Sequence, residues 1–170
     1  MANWCYNYIF VSGEAEMLGQ FMKEIKSLKC LSEETGKGVL PDYVEEAEKI
    51  LNEDKKSKYD RYLFDLGIQS NEVFSCETKW APPIEELGLI STHYPLLSFE
   101  MEYEECGCRV FGKCFIKDGV IKDIFLEGED FDKIEYNEDK DRYIFEGKEF
   151  ESDNEILEAL LTDKINKLNT

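Results

Sequence analysis

From Leu97 to Glu104 the residues alternate without a break. Leu97, Phe99, Met101 and Tyr103 are apolar or aromatic, and Ser98, Glu100, Glu102 and Glu104 stand between them. Strand side chains point alternately to opposite faces, so this stretch reads as a strand with one buried face and one wet, acidic face. A chain containing it has to build a sheet. Cys106-Gly107 turns the chain into 108–117. Asp118-Gly119 is the residue pair that a two-residue type I′ hairpin requires, and it leads into 120–127. The stretch 97–127 is therefore expected to be an antiparallel three-strand meander.

Other segments carry the helical period. Leu18, Phe21, Met22, Ile25 and Leu28 share one face of an amphipathic helix of about four turns, preceded by Ser12-Gly13 and by Glu14 and Glu16, acids suited to a helix N-terminus. Residues 32–40 read as a loop. Pro41 suits the first turn of a second helix, with Val44, Ala47, Ile50 and Leu51 as its apolar stripe. Tyr59, Tyr62, Leu63 and Leu66 continue a helical spacing that closes on Gly67. Between the two stripes, 52–58 is polar all round, so 41–66 reads as one helix or as two.

A first strand is expected at 4–11, covered on both faces, with Trp4, Tyr6, Tyr8 and Phe10 on one side. A strand at 72–80 places Phe74, Cys76 and Trp80 together. Ala81-Pro82-Pro83 stops it and opens a helix with Ile84, Leu87 and Ile90 inward, which Pro95 ends. Short strands at 132–136 and 142–146 extend the meander. Ser152-Asp153-Asn154-Glu155 is a capping box for a last helix, with Leu157, Leu160, Leu161, Ile165 and Leu168 inward. The class is α+β. The 170 residues suit one domain, with a core over 1–127, a helical insert at 35–70 and an acidic extension over 128–170.

Charge narrows the function. Acidic residues number 38 against 20 basic, a net charge of −18. Such a chain does not hold a phosphate backbone by bulk electrostatics, and anionic membranes are disfavoured for the same reason. Nevertheless 42% of residues are hydrophobic, which separates the chain from disordered acidic tails. The start has no basic or long apolar region typical of a signal peptide, and no stretch reaches the roughly 18 apolar residues of a membrane helix. The expectation is a soluble cytoplasmic protein whose six cysteines are free, buried thiols.

Several motifs, taken together, resemble one family. They are Asn3-Trp4-Cys5-x-Asn7, Thr78-Lys79-Trp80-Ala81-Pro82-Pro83, Tyr94-Pro95-Leu96-Leu97-Ser98-Phe99, and Tyr103-Glu104-Glu105-x-Gly107 with Phe111-Gly112. The chain is similar, over about 1–120, to YubB-type proteins of phages and plasmids. The resemblance implies a ferredoxin-like antiparallel or mixed sheet with helices packed on one face, followed here by an acidic hairpin and a terminal helix. It also implies a mobile-element origin in a bacterial host. It supplies no catalytic residues and no cofactor.

The residues that could carry chemistry each have a plainer account. Cys106-Gly107-Cys108 with Cys114 has poor spacing for zinc, and small buried positions explain these cysteines better. His93, the sole histidine, falls at a helix end, where the dipole accounts for it. Asn137, Asp139 and Asp141 match positions 1, 3 and 5 of a calcium loop, but Arg142 replaces the required glycine and Lys148 the bidentate glutamate. No phosphate-cradling glycine loop is present. No metal or cofactor is expected.

What remains is the acid itself. Residues 127–155 hold 13 acidic and 4 basic residues, half the net charge, interleaved with Phe131, Ile134, Tyr136 and Tyr143. Glu127, Glu129, Asp130, Asp132, Glu135, Glu138, Asp139 and Asp141, together with the Glu100/Glu102/Glu104 face, form the candidate partner-binding set. Carboxylates so arrayed can stand in for phosphates and meet a basic surface on a host protein, such as a defence nuclease of the CRISPR kind. The expectation is a non-enzymatic binding protein of this nucleic-acid-mimic or anti-CRISPR type. The alternative is a small carboxylate- or metal-dependent hydrolase using Glu100, Glu102 and Glu104, assisted by His93.

Overall fold

The computed structural model describes residues 3–51 and 62–168. Its first half runs β1 (Trp4–Gly13), α1 (Ala15–Thr35), α2 (Asp42–Leu51), β2 (Phe64–Ile68), β3 (Val73–Lys79), α3 (Ile84–His93) and β4 (Leu97–Glu105). A 3-10 turn (Cys106–Cys108) leads to β5 (Val110–Lys117) and β6 (Val120–Phe125). These strands form one sheet in the order β2-β3-β1-β4-β5-β6, with every neighbouring pair antiparallel. β1 to β4 with α1 and α3 have the β-α-β-β-α-β connectivity of a ferredoxin-like fold. β5 and β6 widen its sheet beyond β4.

The meander lies where the alternation predicted it. Asp118 and Gly119 take φ of 46° and 73°, the double positive φ of a type I′ turn. α1 and α3 cover one face, onto which Ile9, Val11, Phe74, Leu97, Phe99 and Met101 project. Phe21 of α1 is the hub. Its ring meets those of Phe74, Tyr94 and Phe99 at 5.8, 5.2 and 5.2 Å. Such tilted and edge-on pairs add about 0.5–1.5 kcal/mol each beyond area burial. Glu24 Oε2 accepts from the Tyr43 and Tyr94 hydroxyls at 3.0 and 2.9 Å, tying α1 to α2 and to the end of α3.

Several expectations are corrected. β1 is covered on one face, not both: Cys5, Asn7, Ile9 and Val11 are buried, whereas Tyr6, Tyr8 and Phe10 are 55%, 38% and 39% exposed. The loop expected from 32 begins at Gly36, whose φ of 63° lets its amide close on the Ser32 carbonyl. The helix expected over 59–66 is, from Tyr62 on, extended chain leading into β2. Leu63 and Leu66 are both buried because the register shifts between Phe64 and Gly67. Asp65 there takes φ of 45°, and the bulge turns a three-residue spacing inward, so it mimics a helical stripe. Tyr59, the polar run at 52–58 and the side chains of Ile50 and Leu51 lie outside the described residues. Trp80 stands past the end of β3 at φ 71° and is exposed, and Thr78 takes the inward place.

After β6 the chain makes α4 (Gly128–Phe131), β7 (Glu135–Asn137), β8 (Arg142–Phe145), β9 (Lys148–Phe150) and α5 (Asp153–Leu168). The hairpin expected to extend the meander is instead a separate sheet, β7-β8-β9. The capping box between Glu127 and Asp130 starts a helical turn that interrupts the ladder after β6. Glu146-Gly147, both at positive φ, turns the chain into the unexpected β9. The Ser152 hydroxyl accepts from the Asn154 amide at the start of α5. Ile156, Leu157 and Leu161 are buried there, while Leu168 is exposed. α5 packs on the face opposite α1 and α3, over Phe111, Ile124 and Leu126 of the β5–β6 side.

Candidate binding groove on the open sheet face

The motif residues tie the strand ends together. Asn7 Nδ2 donates to the Cys5 and Cys76 carbonyls at 2.9 and 3.2 Å and to Thr78 Oγ1 at 3.0 Å. Thr78 Oγ1 in turn donates to the Ala81 carbonyl at 2.7 Å, and the Trp80 amide reaches the Asn3 carbonyl at 2.9 Å. The Tyr103 ring lies against Gly112, where a Cβ would run into its hydroxyl, and that hydroxyl donates to Asp123 Oδ1 at 2.8 Å. The Glu105 carboxylate accepts from the Cys108 amide. These residues fasten β1, β3, β4 and β5 and leave the opposite face free for other work.

On that opposite face the register sets carboxylates beside rings. Tyr6 lies between Glu77 of β3 and Glu104 of β4, and Tyr8 between Ser75 and Glu102. Directly opposed residues keep their Cβ atoms about 4.5–5.5 Å apart, so Tyr6 has an acid within side-chain reach on each side. α5 forms a wall through Glu158, Leu161 and Ile165. The open groove they bound measures about 830 Å³. Among the described residues its lining carries five carboxylates, from Asp65, Glu77, Glu102, Glu104 and Glu158, against one ammonium, from Lys113. Lys113 is already engaged, with Glu100 at 2.6 Å and Glu102 at 3.0 Å. Glu77 holds its proton above the usual carboxylate range, first because of desolvation and then because Asp65 stands near. A second, more apolar groove of about 570 Å³ continues along the face past Phe10, Phe115 and Val120.

The acids expected to bind a partner fall into two places. Glu102 and Glu104 line the larger groove, and Glu100 lines the smaller one. The others lie beyond β6, and half of these are engaged locally. Glu127 and Asp130 meet Lys164 at 3.3 and 3.5 Å, and Asp130 also meets Lys133 at 2.8 Å. Asp132 pairs with Arg109 at 2.7 Å, and Asp141 accepts from the Tyr136 hydroxyl at 2.6 Å. Glu129, Glu135, Glu138 and Asp139 are exposed around α4, β7 and the following turn. Sequence reading missed Tyr6, Tyr8, Asp65, Glu77 and Glu158. The aromatic alternation of β1 was visible, but pairing with Glu77 and Glu104 depends on register, which no local pattern carries.

Other candidates are placed as follows. Cys5, Cys76 and Cys114 are buried, while Cys30 and Cys108 are exposed, contrary to the expectation of uniformly buried thiols. The side chain of Cys106 lies outside the described residues. Burial pushes the Cys5 and Cys114 thiols up to about 12. Thiols so shifted stay protonated and are poor nucleophiles at neutral pH. His93 stacks on Tyr43 at 4.0 Å in the last turn of α3. Asn137 Oδ1 accepts from the Lys140 amide, so the calcium-like spacing closes its own turn. Among the described residues no three His, Cys, Asp or Glu side chains converge as metal ligands. No helix among them is long and apolar enough to cross a membrane.

The model of the ferredoxin-like domain in Api92-like protein matches residues 58–146, just over half of the chain. The chain belongs to that family. The matched span begins ahead of β2, takes in the sheet from β2 to β6, and reaches through β8 into the acidic segment. This ferredoxin-like domain therefore includes much of the charge that follows residue 126. No curated protein and no solved structure matches the chain.

Proposed function

We propose that this protein is a non-enzymatic binding protein that regulates or inhibits a nucleic-acid-handling protein by presenting carboxylates to its basic surface. The supporting observation is the open sheet face, where exposed aromatic rings lie among carboxylates that outnumber cations. Such a face repels nucleic acid and attracts the cationic groove that would otherwise hold it. The resemblance to YubB-type proteins adds the biological setting, a phage or plasmid product acting in the bacterial cytoplasm against a host defence nuclease such as a CRISPR effector. The Glu100/Glu102/Glu104 hydrolase is the weaker reading, because Glu100 and Glu102 already share Lys113 as counter-ion.

The test is competition. Purified protein is added to host nuclease complexes loaded with labelled nucleic acid, and displacement is followed on native gels at rising salt. Salt-sensitive displacement supports the proposal. Absence of any salt-sensitive association across such complexes would overturn it.

A further inference from the structure

We propose that the larger groove is an arginine-reading subsite, in which the guanidinium of an extended, basic segment of a protein partner stacks on Tyr6 between Glu77 and Glu104. This rests on the binding-protein reading above and names the chemistry that the site would select. Three observations carry it. The groove is a walled concavity on the open face. Its floor presents Tyr6 and Tyr8, with Tyr6 more than half exposed. Acids from three separate elements (Glu77 of β3, Glu104 of β4 and Glu158 of α5) line it, with Asp65 near Glu77.

At the Tyr6 end the Lys79 ammonium lies over the Phe64 ring at 5.1 Å, and among the described residues no ion pair joins it to Glu77 or Glu104. Lys113, the only cation among the described lining residues, is held between Glu100 and Glu102 further along the sheet. Glu77 is partly desolvated beside Asp65, a like-charge juxtaposition that an incoming cation would relieve. A ring flanked by carboxylates across a strand suits a planar, forked cation. The guanidinium stacks face to face with the phenol and still directs N–H donors sideways to both acids. An ammonium is a more strongly hydrated point charge without that planar fork. Aromatic rings on an open sheet also stack nucleobases, but the surrounding carboxylates oppose the phosphates attached to them.

The test uses the full chain and fluorescence anisotropy at near-physiological salt, where remote charges are largely screened. The probes are a labelled extended peptide with arginines at alternate positions, its lysine counterpart, and a single-stranded RNA. The arginine peptide is expected to bind several-fold more tightly than the lysine peptide. Tyr6→Ala is expected to weaken it about tenfold, as loss of a partly desolvated cation–π contact would. Tyr6→Phe retains binding. Glu77→Gln with Glu104→Gln weakens it comparably, and because neither residue is in the core this pair carries the test if Tyr6→Ala folds poorly. Binding insensitive to all groove variants, but abolished by neutralising Glu129, Glu135, Glu138 and Asp139, would overturn the subsite and leave the binding-protein reading standing. Tyr6-dependent binding of the RNA in place of the peptide would overturn both. Absence of peptide binding would overturn the subsite, and the nuclease competition then decides the broader reading separately.

Discussion

At the scale of single residues, Asn7 and Glu77 show how differently two polar side chains of neighbouring strands act. Asn7 is buried and satisfies two carbonyls and a hydroxyl at once. Asn7→Ala leaves those acceptors short of a donor and is expected to cost about 1–3 kcal/mol in urea denaturation. Glu77 works in the opposite direction. In the folded state its carboxyl binds a proton more tightly than in the unfolded chain, so stability is lost as pH rises through its raised folded value. Glu77→Gln should therefore raise the urea midpoint at neutral pH, and the gain should vanish in acid, where both carboxyls are protonated. Asp130 supplies the contrast. Lys133 and the Glu127 amide lower its pKa, so its contribution is present above the unfolded value and is lost as pH falls through the folded one. Asp130→Asn should lower the midpoint at neutral pH, with the two proteins converging in acid. Urea midpoints measured across pH decide all three expectations.

At the scale of elements, legibility followed how local each cause was. The meander was readable because alternation and Asp118-Gly119 lie within a few residues of what they determine. β2 was not, since a bulge at Asp65 placed Leu63 and Leu66 inward at a spacing that a helix also produces. β9 was missed because Glu146-Gly147 makes the turn without the usual Asn or Asp. The candidate site was half legible. Glu102 and Glu104 came from strand alternation, whereas Tyr6 and Glu77 meet them only through register with β1 and β3. Glu158 joins through the docking of α5, an apolar contact of Leu157 and Leu161 with Phe111 and Ile124. That contact is a small cluster apart from the main core. Leu157→Ala should cost about 2–5 kcal/mol in its local opening. Hydrogen exchange should then quicken in α5 while β1, β3 and β4 keep their protection.

At the scale of the whole molecule, a charge of −18 on a chain this size makes the folded state repel itself. The ion pairs are mostly at the surface and each contributes little, about 0–1 kcal/mol. Screening should therefore relieve more repulsion than it removes attraction. The melting temperature is expected to rise as sodium chloride is increased toward about 0.3 M, where the Debye length falls below about 8 Å. A fall in melting temperature over that range would mean that the ion pairs dominate. The position of α5 also has a consequence in time. All the strands flooring the groove precede it in the chain, so during synthesis Phe111 and Ile124, which α5 covers, lie bare until the segment beyond residue 126 has emerged. That segment is acidic, and it follows the uncovered apolar side chains directly in the chain. The growing chain thus carries its own repulsive guard against sticking to its neighbours on a polysome, at the stage when its sheet is most open to them.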